Sequence, residues 1–352
     1  MGAGRLSKES AAALLLFFAL LAYAVATSLQ LECLDLRHFR ANDLRALLDE
    51  ESDLWRERLR WDYRNSADLL LQYIDSHLLV GYVATDQGKI CGYTFCVQEQ
   101  AKAIIGDVFA TRAAKASTPA AVIEKKLLDH LLETLRHTPG LERMEAQMLL
   151  HPHGTQLAAF EQAGFRLFPR LFMERDLTAD AVPDMPLLHE IPLLDGALRM
   201  RRWRETDFEP ATRVIAAAYL NHIDSEINDQ YRSVAGANRF LHNIVRFPGC
   251  GHFESAASWV VMEPQSDSLQ AILLASRIRP DVGHITQICV SPDLRRQRIG
   301  QTLLEIGAAS LRGLGCNTVT LTVTEANRAA VNLYTGLGYK TRHCFDAMLW
   351  TS

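Results

Sequence analysis

Apolar positions along the chain switch repeatedly between a two-residue and a three-to-four-residue spacing. From residue 197 onward, "ALRMRRW" predicts a strand and "ETDFEPATRVIAAAYL" a helix capped at Thr206 or Asp207. A second helix is predicted near 236–245. "SWVVME" and "LQAILLASRIR" predict two antiparallel strands around a polar turn, and "HITQICV" predicts another strand. A helix follows from about 298 to 314, its apolar side formed by Ile299, Leu303, Ile306 and Leu314. "TVTLTV" alternates as a strand, 327–336 reads as a helix, and the chain closes on a strand pair ending near Trp350.

The stretch before residue 178 runs through the same order. "LQLECLDL" predicts a strand, and helices are expected over 41–59 and 66–73. "HLLVGYVAT" and "KICGYTFCVQ" predict strands joined by a turn at Gly88, and "AIIGDVFA" the next strand. A helix over 119–137, the strand "RMEAQML", a short helix over 156–163 and the strand "RLFMERDL" complete the set. Between the halves, Pro183, Pro186 and Pro192 interrupt any periodicity, so 179–196 reads as a linker. The expectation is an α+β chain with two similar domains, 28–178 and 197–352, each a mixed, mostly antiparallel sheet flanked by helices. The repeat is about 170 residues, too long for a solenoid array.

Bulk properties fit this division. At about 100–200 residues per domain, a 352-residue chain suggests two domains. Apolar residues make up 48% and charged residues 22%, enough for full cores. A formal net charge of -4 speaks against a general nucleic-acid binder, which needs a basic face. The seven cysteines are scattered and form no C-x-x-C, so neither a disulfide framework nor a metal site is expected.

Residues 1–27 stand apart. "AAALLLFFALLAYAVA", 11–26, is an unbroken apolar run preceded by Arg5 and Lys8 and ending in A-x-A patterns. Three readings stay open: a secretory signal peptide, an uncleaved anchor, and a start codon that lies further along. The run is short for a membrane span of about 20 residues. Membrane association is expected only through 11–26, and a cytoplasmic location otherwise.

The candidate chemistry begins at the turn after "HITQICV". Arg295, Arg296 and Arg298 crowd the start of the helix that follows. Cations there oppose the helix dipole at about 0.3–1 kcal/mol each unless an anion offsets them. The first backbone N–H groups of a helix have no internal partners, and Gly300 leaves room for close approach. A phosphate fits that arrangement; the alternative is a solvated loop whose arginines pair with nearby acids. After the next strand, Asn327, Ala330 and Tyr334 share one helix face, and Gly338-Tyr339 turns the chain.

Together these stretches resemble the GCN5-related N-acetyltransferase (GNAT) superfamily. Its phosphate loop, R/Q-x-x-G-x-G/A, is matched by Arg295-Arg296-Gln297-Arg298-Ile299-Gly300, with Arg298 at the position of the first glycine. Its second motif, N-x-x-A-x-x-x-Y-x-x-x-G-F/Y, is met by Asn327, Ala330, Tyr334, Gly338 and Tyr339. The resemblance covers 197–352 and implies a fold in which acetyl-CoA, or another acyl-CoA, lies between two splayed strands. It implies that the backbone of Ile288, Cys289 and Val290 aligns the thioester arm. N–H groups from Arg295 through Arg296, Gln297, Arg298, Ile299 and Gly300 to Gln301 would hold the diphosphate, and Asn327 would contact the cofactor arm. Tyr334 would protonate the leaving thiolate during direct transfer to a primary amine of a small molecule or peptide. Many relatives carry a glutamate base on the strand before the loop. Here that strand offers His284 and Gln287, and only His284 can take a proton. The second candidate region, "NHIDSEINDQYR", places His222, Asp224 and Glu226 in a connection that lines the family's acceptor pocket; Glu226 is a further candidate base. Its bland alternative is a solvated loop of capping acids.

The first half lacks these devices. Phe160 stands where Tyr334 stands relative to the Gly-aromatic pair, and His153 where Asn327 stands. "TRAAKASTPAAVIEKKLL" has no glycine pair. Residues 28–178 therefore read as a degenerate GNAT half that packs on the second and walls off its acceptor site. Two competing functions are a non-catalytic acyl-CoA-binding or sensing module and an exported or tethered protein with a repurposed fold.

Overall fold

Alternating strands before residue 112 fold into an antiparallel meander, seen in a computed structural model that describes residues 31–112, 117–178, 190–247, 249, 251–266 and 268–352. The apolar run 11–26 and Cys250 lie outside the described residues. Among those residues no helix is long and apolar enough to cross a membrane. They divide into two compact units, one made of residues up to 50 with 71–141, the other of 51–70 with 142–352.

In the first unit, β1 (Leu31–Asp35) is followed by helices α1 (Ala41–Leu59) and α2 (Arg64–Asp75), of which it holds the stretches 41–50 and 71–75. Strands β2 (Val80–Asp86), β3 (Lys89–Glu99) and β4 (Lys102–Ala110) pair in sequence, each antiparallel to the last. The two-residue turn Gln87-Gly88 has positive φ at both positions, 53° and 74°, which matches the twist of a hairpin. Helix α3 (Ala120–Arg136) buries Ile123, Leu127, Leu131 and Leu135 at helical spacing. It comes so close to β3 that a Cβ on Gly92 would lie 2.8 Å from the Ile123 side chain.

The second unit is built on β5 (Arg143–Gln147), α4 (Leu157–Gln162), β6 (Arg166–Asp176), β7 (Glu190–Leu193) and β8 (Leu198–Arg202). Helices α5 (Phe208–Ala218), α6 (Ile223–Ile227) and α7 (Val234–Arg246) follow. Next come β9 (His252–Phe253), β10 (Trp259–Met262), β11 (Leu269–Arg279), β12 (Val282–Val290), α8 (Ile299–Gly313), β13 (Thr318–Thr324), α9 (Arg328–Gly336) and β14 (Lys340–Thr351). Its sheet runs β5-β14-β6-β13-β12-β11-β10-β8-β7, with β9 beside β11. Every pair is antiparallel except β12 with β13. The alternation of β11 explains the two cores. Leu273 and Ala275 pack under α8 with Leu303, Leu304 and Leu311, while Ile272 and Leu274 pack under α5 and α7 with Ile215 and Leu241. Each of these leucine and isoleucine side chains contributes about 1.5–3 kcal/mol on burial.

Asp207 stands at the N-cap of α5, as its sequence position predicts, but makes no side-chain bond to the first N–H groups of that helix. Its carboxylate accepts from the Arg204 N–H at 2.7 Å and from both terminal nitrogens of buried Arg201 at 2.7 and 2.8 Å.

Three expectations change. The chain ends on one strand, β14, where a strand pair was expected; β14 lies between β5 and β6, strands that the sequence places in the other half. The described end of the expected linker is strand β7, paired with β8. Pro192 is tolerated because β7 is an edge strand, where a missing N–H costs nothing to the ladder. Helix α6, five residues long, was expected as an irregular connection.

Candidate active site

Parallel pairing of β12 with β13 holds over only four residues, Val282–Ile285 against 318–321. Both strands continue, to Val290 and Thr324, without pairing to each other, so they part like a V. Inside the V lies a cavity of about 570 Å³. It brings together every expected site residue except two, Gln297 and Glu226. Gln297 reaches back to the Asp293 carbonyl at 3.4 Å. Glu226 pairs with Arg166 at 2.8 Å, and its peptide carbonyl accepts from Arg143.

Residues 291–298 lead from β12 into α8. The N-cap of α8 is Arg298, in the left-handed region at φ 62°, with Arg296 at φ 63°. A non-glycine residue there costs on the order of 1–3 kcal/mol. The turn thus keeps the backbone shape that a glycine would adopt, which explains how Arg298 can replace the family's first glycine. At Gly300 a Cβ would meet nothing nearer than 3.8 Å, from Leu333 and Val290. Protein packing does not demand glycine there; the space it leaves opens into the cavity, next to the unpartnered first N–H groups of α8.

The three arginines differ. Arg295 donates to the Ala218 carbonyl at 2.6 Å, at the end of α5, where a cation is favourable. It therefore anchors α5 to the loop, and its guanidinium is not the free phosphate donor that sequence suggested. Arg296 and Arg298 are exposed at the cavity rim.

On the opposite wall, Asn327 caps α9, accepting from the Ala330 N–H at 3.3 Å, while its amide nitrogen lies 3.3 Å from His222 Nε2. The Asn327 side-chain oxygen is thus used within the protein, while its amide N–H groups stay available, because His222 Nε2 carries the ring proton when Nδ1 accepts from the Asp224 N–H. His222 in turn caps α6 through Nδ1 and the Asp224 N–H at 3.2 Å. The Asp224 carboxylate accepts from Thr324 Oγ1 and faces the cavity. Tyr334 is buried on α9; burial first, and then the Asp224 charge, raise its phenol pKa, so it holds its proton. Tyr219 and Tyr231, stacked at 4.3 Å, complete this end of the cavity. Sequence reading missed them, and it also missed Arg170 on β6.

Cys289 lines the cavity, but burial pushes its thiol up to about 12, which keeps it a protonated, inert group. His284 is buried between Trp61, edge-on at 5.0 Å, and Phe172, stacked at 6.1 Å. Thr320 Oγ1 donates to the Gly283 carbonyl at 3.1 Å, so its lone pair receives Nδ1–H of His284 at 2.9 Å. This network assigns the proton to Nδ1 and leaves Nε2 with a lone pair. Burial pushes the imidazole pKa down to about 4 from an ordinary 6.5. The unfolded chain then binds the proton more readily than the folded one. Stability should fall as pH drops from about 6.5 to 4, by about 3 kcal/mol if His284 alone contributes. Chemical denaturation across that range should show a shallower slope for His284→Gln; an identical slope refutes the assignment.

A parallel strand pair that parts in front of a helix N-terminus, with a buried tyrosine across the gap, defines the acyl-CoA-binding fold of the GNAT superfamily. Residues 223–339 match the Acetyltransferase (GNAT) family, and this part of the chain is a GNAT domain. Two curated relatives are similar over short stretches. The mycothiol acetyltransferase of Geodermatophilus obscurus is 42% identical over 65 residues, 18% of this chain and 21% of the relative. That of Thermobispora bispora is 42% identical over 67 residues, 19% and 22% of the two chains. The matched stretch thus spans about a fifth of each relative's length. Solved structures are similar over nearly the whole chain. A GCN5-related N-acetyltransferase from Sphaerobacter thermophilus superposes with a TM-score of 0.61 over 92% of this chain and 96% of its own, at 13% identity. A tandem GNAT protein from the clavulanic acid biosynthesis pathway gives 0.54 over 91% and 98%, at 14% identity. The fold is therefore the tandem GNAT fold that the sequence led us to expect.

The repeat is visible in local geometry. Tyr334 and Tyr339 bracket Gly338 at φ 85°, and the Tyr339 N–H returns to the Tyr334 carbonyl at 3.0 Å. Phe160 and Phe165 bracket Gly164 at φ 80° with the same 3.0 Å bond. In the first copy, however, no hydroxyl is present, and His153 is tied to Asp346 at 2.6 Å.

Proposed function

We propose that this protein is an acyl-CoA-dependent N-acyltransferase that moves an acetyl group from acetyl-CoA to an amine by direct attack. The observation that carries the reading is the cavity itself, which runs from the open helix start at Gly300 to Tyr334 and Asp224. The residues fit the co-substrate at both ends. The diphosphate would meet the first N–H groups of α8, with Arg296 and Arg298 as charge-assisted donors. The arm would run along the unpaired edge of Ile288–Val290. Bound there, acetyl-CoA supplies a carbonyl activated by its thioester.

The chain's own groups then handle charge and protons. Asp224 holds the incoming ammonium and takes a proton from it, directly or through water. Tyr334 gives its phenolic proton to the sulfur as the C–S bond breaks and is recharged from the nitrogen, while the proton that Asp224 took passes to solvent. Of the expected bases, Glu226 is directed to Arg166, and His284 is a poor proton sink in its buried site; we assign His284 to shaping the wall. Residues 28–178 act as a half without cofactor chemistry that supplies strand β6 to the acceptor side.

The test is calorimetric titration of the full chain with acetyl-CoA, followed by thiol release across a panel of amines. Asp224→Asn should retain acetyl-CoA binding and lower turnover on the order of 10²-fold. Unchanged turnover removes Asp224 from proton transfer.

A further inference from the structure

One cation in the cavity has no part in that scheme. Arg170 sits on β6 directly across from Thr324 on β13. Cross-strand partners share a face with their Cβ atoms about 4.5–5.5 Å apart. Thr324 is the residue that holds Asp224, and Arg170 and Asp224 both line the cavity on either side of it. Yet they do not pair. Among the described residues the Arg170 side chain makes no hydrogen bond or ion pair, and its Nε is buried without a partner. By contrast, Arg166 on the same strand pairs with Glu226, and Arg342 and Arg60 both pair with Glu174, also on β6. A partly buried guanidinium left without an acceptor costs on the order of 1–3 kcal/mol or more. A bound anion would remove that cost.

We propose that the acceptor is an amine bearing an anionic group a few bonds from its nitrogen, a carboxylate or a phosphorus oxyanion, which Arg170 holds while Asp224 holds the ammonium. This rests on the acyltransferase reading above and narrows its substrate class. The guanidinium fork matches the two oxygens of such a group, and a lone Lys at the same place would not. The opposite charges, separated on neighbouring strand and helix, read a dipolar molecule and reject simple alkylamines. Stacked Tyr219 and Tyr231 bound the same end of the cavity.

The experiment compares thiol release from acetyl-CoA with α-, β- and ω-amino acids, their amides, and the matching aminoalkylphosphonates. At least one acid or phosphonate should exceed its neutral counterpart tenfold or more in kcat/KM. Which arm leads tells carboxylate from phosphorus oxyanion. Arg170→Gln should collapse that preference to about twofold, chiefly through KM, and Arg170→Lys should keep part of it. Thermal melts check that both variants fold. Calorimetry with acetyl-CoA on the same preparations reports on the cofactor site separately. If acetyl-CoA does not bind, the acyltransferase reading itself fails, and this inference with it. If it binds but amides do as well as acids, or no amine in the panel is acetylated, the anionic acceptor alone is overturned. An Arg170→Gln protein that folds and keeps the full preference overturns it too.

Discussion

Replacing Tyr334 by Phe is expected to lower turnover at least tenfold, with acetyl-CoA affinity little changed. The phenol is buried and keeps its proton, since burial and the Asp224 charge both disfavour its anion. A proton donor placed in reach of a leaving group contributes about 10²–10⁴-fold. Phe removes only the hydroxyl, so the ring keeps its packing in the core beneath α9. The first half already shows such a substitution tolerated by the fold: Phe160 fills the corresponding place, fully buried against Phe165. Steady-state kinetics and calorimetry on the same variant separate the two quantities. A turnover equal to wild type would mean that the thiolate leaves unprotonated or is protonated by another group.

The largest effect is expected from Gly300→Asp, which should abolish acetyl-CoA binding while leaving the protein folded. The Cβ has room, with its nearest neighbours at 3.8 Å. A carboxylate in the first turn of a helix is favourable for the dipole by about 0.3–1 kcal/mol, so stability should hold or rise slightly. The same carboxylate would stand where the diphosphate must dock. Unit charges about 4 Å apart at an effective dielectric constant of about 20 repel by about 4 kcal/mol. Calorimetry should therefore show an affinity loss of at least about 100-fold. Gly300→Ala, with its methyl alone, should lose far less. Intact affinity in the aspartate variant would place the diphosphate elsewhere.

What was legible in the sequence was mostly local. The loop and the α9 motif carry their chemistry within short stretches, so the Gly300 and Tyr334 ends of the cavity are legible without the fold. Helical and strand periodicity likewise located nearly every element. The acidic connection shows where this reasoning stopped. Asp224 and Glu226 were both expected at the acceptor site, but they lie two residues apart on α6. Two residues turn a helix by about 200°, so they face opposite ways. One faces the cavity and the other meets Arg166. Reading 223–227 as helical would have separated them. Arg170 was invisible for another reason. The alternation of Arg170, Phe172 and Glu174 against Leu171, Met173 and Arg175 is plain in the sequence, but which strands flank it is not. Register between distant strands is set by the whole sheet. The same limit hid the place of β14. The acceptor of the Arg295 guanidinium, the Ala218 carbonyl, is likewise remote in sequence.

The placement of β14 between β5 and β6 bears on how this duplicated chain can change over time. Cutting at the proline-rich stretch would strip β13 of its neighbour and leave β14 with nothing to pair against. The strand 166–176 therefore cannot be removed without unpairing both β13 and β14. Gene fission or loss of the leading segment would unpair the strands on either side of 166–176, although that stretch holds no motif of its own.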